Sequence, residues 1–491
     1  MSTPGTRQRL SDPHLHLLRR FTFGYNTQLE TDVLRYSDPL TWFESQLRPG
    51  ADPDAAAALG WYPHLTDTPG AAWDNNRNET YGAWQYGQDL VKYTLARRIL
   101  ARNQVHETMT DFWSNLFHIP VGEDTNFPWR YDYDKTIRTH ALGTFVDLLN
   151  AVVVHPAMSG WLTNYRNTKK NINENLGREL LELYTVGRPA SYTEDDVKAS
   201  ARLLTGFTVA VFNGYAAAYD PALHHVGPVT VLGKTFPNAA ADGRAELRNY
   251  LTWLARHDKT AERIAQRLCT RFVSDDPPAS VVAAVKQTYL SSGTDIKACL
   301  RTLVDHPAFK ASAGQKARTP VEDMLALARA VNIRPTGGSG DKAWINSMSW
   351  YCSWTGQAVF SWPRPDGSPE KSDTYLSPAR LLRSWTVRTW LSNPGATYDQ
   401  ADVPPARRLL PPVRVAPAAW SLPLTEVIDH QAVMFTGRPA SEDLVTAVTQ
   451  FLGVGRDRVY KETWERTSGS LNWLAFQVRA VIMSSPEMML R

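Results

Sequence analysis

Apolar residues recur three and four apart through most of this chain. The spacing holds over 13–22, 28–48, 89–118, 134–154, 171–186, 193–205, 243–255, 258–273, 279–291, 294–305, 319–332 and 377–391. A 3.6-residue period puts such residues on one face of a helix, so the pattern predicts a mainly α fold with a large multi-helix body. Strict alternation is scarce. The run VGPVTVLGKTF at 226–236, punctuated by Gly227 and Gly233, is where a short hairpin or turn is expected.

At 491 residues the chain is too long for one ordinary core. Three stretches interrupt the helical pattern and read as long loops: 50–82, 335–375 and 394–424. The first two are rich in Trp, which argues for ordered packing. The third holds Pro404, Pro405, Pro411, Pro412, Pro417 and Pro423. Each proline fixes φ and removes a donor, so this stretch reads as neither helix nor sheet. The expected organisation is a main helical body over 1–395, a Pro-rich linker over 396–424, and a C-terminal helical region over 425–491 packed on the body.

Composition narrows the function classes. Hydrophobic residues make up 43% and charged residues 21%, the range of soluble globular proteins. The net charge of +4 is spread without a Lys/Arg block, so nucleic acid is not an expected partner. The uncharged run 203–219 is broken by Gly206, Asn213 and Gly214 and is too short for a membrane span, so no membrane is expected either. Arg19-Arg20 precedes FTFGYNTQ, not an apolar segment. No signal peptide is visible, and the cytoplasm is the expected location. Cys269, Cys299 and Cys352 match neither a disulfide framework nor a CxxC site, which fits a reducing compartment. The GxSxG, HExxH and GxGxxG patterns are absent.

Eight segments occur in order: HLLRRFTFG (16–24), IRTHALGTFVDLLNAVVVHPAMSGWLTN (137–164), NINENLGRELLELYTVG (171–187), YTEDDVKASARLLTGF (192–207), LHHVGPVTVLGKTF (223–236), GQAVFSWPRPDGSP (356–369), LSPARLLRSW (376–385) and SSPEMMLR (484–491). Together they resemble the family called domain of unknown function 1800. The resemblance implies a mostly helical protein with a long central helix in 137–164, and relatives are often exported. It also exposes departures. The family typically reads Phe-Trp-His-Asn-His-Phe where this chain has FWSNLF at 112–117, so Ser114 and Leu116 replace two histidines. Tyr184 stands at another family histidine, and His224-His225 where the family often has His-Asp. Imidazoles suited to metal binding are thus missing, with His118 close enough to compensate.

On 171–186, Asn171, Asn175, Arg178 and Glu182 form a polar stripe flanked by Glu174 and Glu179. A solvated face is the ordinary explanation, aided by Glu174–Arg178 at i,i+4. Asparagine in mid-helix is a poor helix former, however, which favours a polar pocket between helices. The candidate catalytic residues are Asn175, Arg178, Glu179, Glu182, His224, His225 and Lys234, and the candidate metal ligands are Glu179, Glu182 and His224. No motif specifies a cofactor, although the carboxylates would accept a divalent metal. The expected function is an enzyme, a metal-dependent oxidoreductase or hydrolase, performing metal-assisted chemistry on a small organic substrate. Three alternatives stand beside it. One is a metal-free acid–base enzyme. Another is a non-catalytic binding or assembly protein that has lost the family's histidine-rich site. The third is a magnesium enzyme, because Asn171, Asn175 and Glu179 are similar to the second magnesium motif of class I terpene synthases. Asp132 and Asp134 are poor stand-ins for that family's aspartate-rich partner. His155-Pro156 reads as a helix stop, and the loop carrying Trp354, Trp362, Pro363, Pro365, Asp366 and Gly367 as a lid or a plug. The oligomeric state is not encoded.

Overall fold

The computed structural model describes residues 10–36, 38–338, 340, 342–392, 401–402, 421–461 and 470–491. Helices dominate, and the strands among the described residues pair only in twos. The mainly α expectation holds. Among the described residues no helix is long and apolar enough to cross a membrane.

Several long periodic stretches are split, each for a local reason. Within 28–48, Thr27–Val33 ends before Asp38, whose carboxylate caps Pro39–Gln46 by accepting from the Thr41 amide at 3.1 Å. The long central helix is three helices. Thr144 Oγ1 accepts from the Asp147 amide at 3.1 Å and starts Phe145–Val153 after Arg130–His140 has ended. His155 does not simply stop a helix. Its Nδ1 accepts from the Ala157 amide at 3.1 Å, and Pro156 opens the helix Pro156–Trp161. Two expected loops also contain helices: Pro53–Ala57 and Pro69–Arg77 in the first, Trp344–Trp354 in the second. Proline at the first helical position withholds an amide that would be unpaired anyway, so it starts the two helices of the first loop and does not break them.

The expected hairpin forms. Val229–Val231 pairs with Lys234–Phe236 across Leu232 and Gly233, whose φ values of 48° and 77° make a tight two-residue turn. Most of the expected linker lies outside the described residues. Its described parts correct the reading of 394–424 as free of sheet. Ala401–Asp402 pairs with Arg334–Pro335, and Ser421–Pro423 with Val459–Lys461. A proline tolerates extended backbone at a strand end.

Two large hydrophobic cores interleave in sequence. One joins the N-terminal helices to residues between 105 and 309. The other joins 58–100, 321–391 and the C-terminal helices over 424–488. The C-terminal region therefore shares a core with 321–391, and the expected boundary at 396–424 does not coincide with a core boundary.

Candidate functional site

The polar helix is shorter than its period suggests. Asn171 lies outside it, bridged to Thr168, and the helix runs Asn175–Glu179 before a π-turn over Leu180–Tyr184. Gly177 packs against the helix Glu194–Leu203, where a Cβ would stand 2.9 Å from the Ala201 amide nitrogen. That contact turns the polar stripe outward. Asn175 is exposed. Arg178 donates to both Glu194 oxygens at 2.7 and 2.6 Å and to Glu174 at 3.3 Å. Glu182 accepts from Arg188 at 2.8 Å and from the Tyr192 hydroxyl at 2.9 Å. Glu179 is half-buried, and its pKa is raised, chiefly by burial and then by Glu182.

The 223–236 candidates have other duties. His224 is buried, with Nδ1 at 3.1 Å from both the Thr205 carbonyl and hydroxyl, and Nε2 at 2.9 Å from Asn238 Oδ1. Both ring nitrogens are occupied, so it is a satisfied core histidine. His225 is half-buried, its pKa lowered by burial and then by Arg202. Lys234 lies over the Phe236 and Trp253 rings, 5.3 Å from each centroid. Arg178 and Glu182 are thus in ion pairs near the surface, His224 in a core network and Lys234 in a cation–π contact, while Asn175, Glu179 and His225 belong to none of these. Among the described residues no three His, Cys, Asp or Glu side chains gather as metal ligands, so Glu179, Glu182 and His224 form no such set. The magnesium-type pattern is not assembled either. Asn171 is off the helix, Asp134 pairs with Arg138 at 3.2 Å, and Asp132 pairs with Lys135 at 2.8 Å.

A different site lies where the two cores meet. A polar cavity of about 50 Å³ is lined by Arg98, Ser114, Asn115, His118, Glu322 and Glu370, among others. The helix Gln104–Leu116 presents Asp111, Ser114 and Asn115 on one face by their spacing. Arg98 comes from Ala83–Leu100, Arg271 from Asp258–Phe272 and Glu322 from Pro320–Ala330. Arg271 is the hub. It reaches Asp111 at 2.8 Å, Glu322 at 2.9 Å and Glu370 at 3.1 Å. Arg98 pairs with Asp111 at 2.5 Å, and Arg491 with Glu322 at 2.6 Å. Glu322 also closes a capping box by accepting from the Thr319 amide at 3.0 Å. Burial opposes its charge, but Arg271 and Arg491 outweigh that and hold its pKa at about 2. Glu370 is likewise held below the usual carboxylate range against burial, by Arg271 and then Arg267.

Loop 356–370 forms the roof. Asn115 clamps it, donating to the Ser368 carbonyl at 2.8 Å and to Glu370 at 2.9 Å while accepting from the Ser368 amide at 2.7 Å. His118 donates Nε2–H to the Trp362 carbonyl at 2.8 Å, and burial pushes its pKa down to about 4. Gly367 has φ 73°, and a Cβ there would overlap the Asn115 carbonyl oxygen, so only glycine lets the loop seat. Phe360 is held at φ 54° with the Arg130 guanidinium 4.6 Å from its ring centroid. The three replaced family histidines have separate fates. Ser114 lines the cavity, and Leu116 is buried in the first core. Tyr184 is fully buried, 5.1 Å from the Phe117 ring.

Sequence reasoning missed Asp111, Arg271, Glu322 and Glu370. One signal was available for Glu322, since Thr319-Pro320-Val321-Glu322 has the pattern of a capping box with proline at the first helical position. Nothing local marks Arg271.

A family model described as Protein of unknown function (DUF1800) matches residues 16–490. No curated protein and no solved structure matches the chain.

Proposed function

This chain belongs to the DUF1800 family, and from that premise we propose that it is a non-catalytic binding protein, in which the expected histidine-rich site has become a closed ion-pair hub. The observation that carries this reading is the pairing of Arg271 with Asp111, Glu322 and Glu370 beneath the 356–370 loop. A general acid or base works best with a pKa near ambient pH. Glu322 at about 2 and His118 at about 4 are both far from that, and Glu370 is shifted in the same direction as Glu322. A cavity of about 50 Å³ has room for a few waters, not for an organic substrate. The three cysteines are buried and free, which suits a reducing compartment, and a cytoplasmic location goes with this reading.

The test is elemental mass spectrometry on protein purified without a metal-affinity tag. No stoichiometric transition metal is expected. A near-stoichiometric metal that is lost in His118→Ala would overturn the reading.

One observation favours a second reading, a metal-free acid–base enzyme. Glu179 is half-buried with a raised pKa, the direction a general acid requires. Turnover of small esters or phosphoesters that vanishes in Glu179→Gln, with the melting temperature kept, would establish it.

A further inference from the structure

We propose that the groove between the helices Asp258–Phe272 and Ala279–Ser291 binds a small organic phosphate, a phosphomonoester with an apolar body. The groove encloses about 710 Å³, the size of a ligand site. Val186, Pro189, Val282 and Ala283 give it apolar walls, and Arg263 and Arg267 supply the charge. These two arginines stand one helical turn apart on one face, where like charges repel. Among the described residues no carboxylate closes an ion pair with either. Arg267 Nε is buried without a partner, and Arg263 spends only its Nε, on the Leu183 carbonyl at 3.1 Å. Burial, and then Arg267, pushes the Arg263 pKa down to about 10. At the rim, by contrast, Lys286 is neutralised by Asp258 at 2.9 Å and Lys259 by Glu262 at 3.1 Å.

Room has been left for the unpaired cations. Gly187 sits at φ 70°, and a Cβ there would come within 2.8 Å of an Arg263 terminal nitrogen. A half-buried guanidinium with no carboxylate in contact is costly. A phosphate dianion offers oxygens to two guanidinium forks and cancels their repulsion, while the apolar walls take the organic body. Glu370 and Asp366 are the carboxylates that act on Arg267 through space, so the groove backs onto the roof loop of the hub. This inference rests on the binding reading and names its ligand class.

The experiment is calorimetric titration of the full chain in phosphate-free, low-salt buffer with phenyl phosphate, inorganic phosphate and phenol. Phenyl phosphate should bind, inorganic phosphate more weakly, and phenol not at all. Arg263→Gln and Arg267→Gln should each weaken phenyl phosphate about tenfold or more, since each removes a charge-assisted hydrogen-bonding partner. Lys286→Gln should change it far less, and Arg267→Lys should restore part of the loss. If Arg267→Gln does not fold, Arg263→Gln decides. Absence of binding at millimolar phenyl phosphate, or unchanged affinity in Arg263→Gln, would overturn the groove while leaving the non-catalytic reading to its own test. Hydrolysis of bound phenyl phosphate would support the groove and overturn the non-catalytic reading.

Discussion

Arg267 and Arg271 lie one turn apart on the same helix and have opposite surroundings. Arg271 meets three carboxylates from three separate stretches of chain. Arg267, beside an open groove, closes no ion pair among the described residues. The difference shows that residue type and helical position do not decide what a cation does. The elements packed against it do. Where both cores, the roof loop and Arg491 converge, the charge is structural. Where a groove opens instead, the charge is left for a ligand.

The largest expected effect is at the hub. Arg271→Met should cost about 3–5 kcal/mol in urea denaturation, because it strands ionised carboxylates in the interior. Arg267→Met should cost clearly less in the absence of an anion, since Arg267 acts on Glu370 only at a distance. Equal losses at the two positions would break the comparison.

Acid should dismantle the hub as well. Glu322 has a folded-state pKa of about 2, below its unfolded value of about 4.3. Its contribution is therefore present above pH 4.3 and is lost as pH falls toward 2. A melting-temperature series should drop through that window in the wild type and more gently in Arg271→Met. Parallel curves would remove Glu322 from the hub.

Gly367→Ala comes next, with a loss of about 1–3 kcal/mol from backbone strain and the clash with Asn115. Hydrogen exchange should quicken over 357–370 ahead of the rest of the chain. Uniform quickening would mean that the loop is not a separate latch. The smallest effect is expected at Arg178→Gln. Its partners are at the surface, so the melting temperature should stay where it is, and a clear fall would restore the polar helix as a structural or functional centre.

Local signals were legible wherever a few adjacent residues settle the backbone. The hairpin follows from Gly233, which accepts its φ of 77° without strain. The Trp/Pro/Gly make-up of the 356–370 loop reads as a lid or a plug, and Asn115 and His118 hold it beside the cavity. The site assignment was less legible. The stripe on 171–186 suggested a pocket, and yet Gly177 places its polar side toward solvent. His224 looked reactive, and yet Thr205 and Asn238 use both of its nitrogens.

The sequence by itself determined the helical class and the hairpin, because each depends on φ/ψ preference or on spacing within a few residues. Only the tertiary structure decided which core the C-terminal helices join and which arginine is paired. Asp111 and Arg271 are 160 residues apart in sequence, and Arg271 and Glu370 are 99. Whether such charges meet depends on how two cores close against each other, and no local pattern along the chain carries that information.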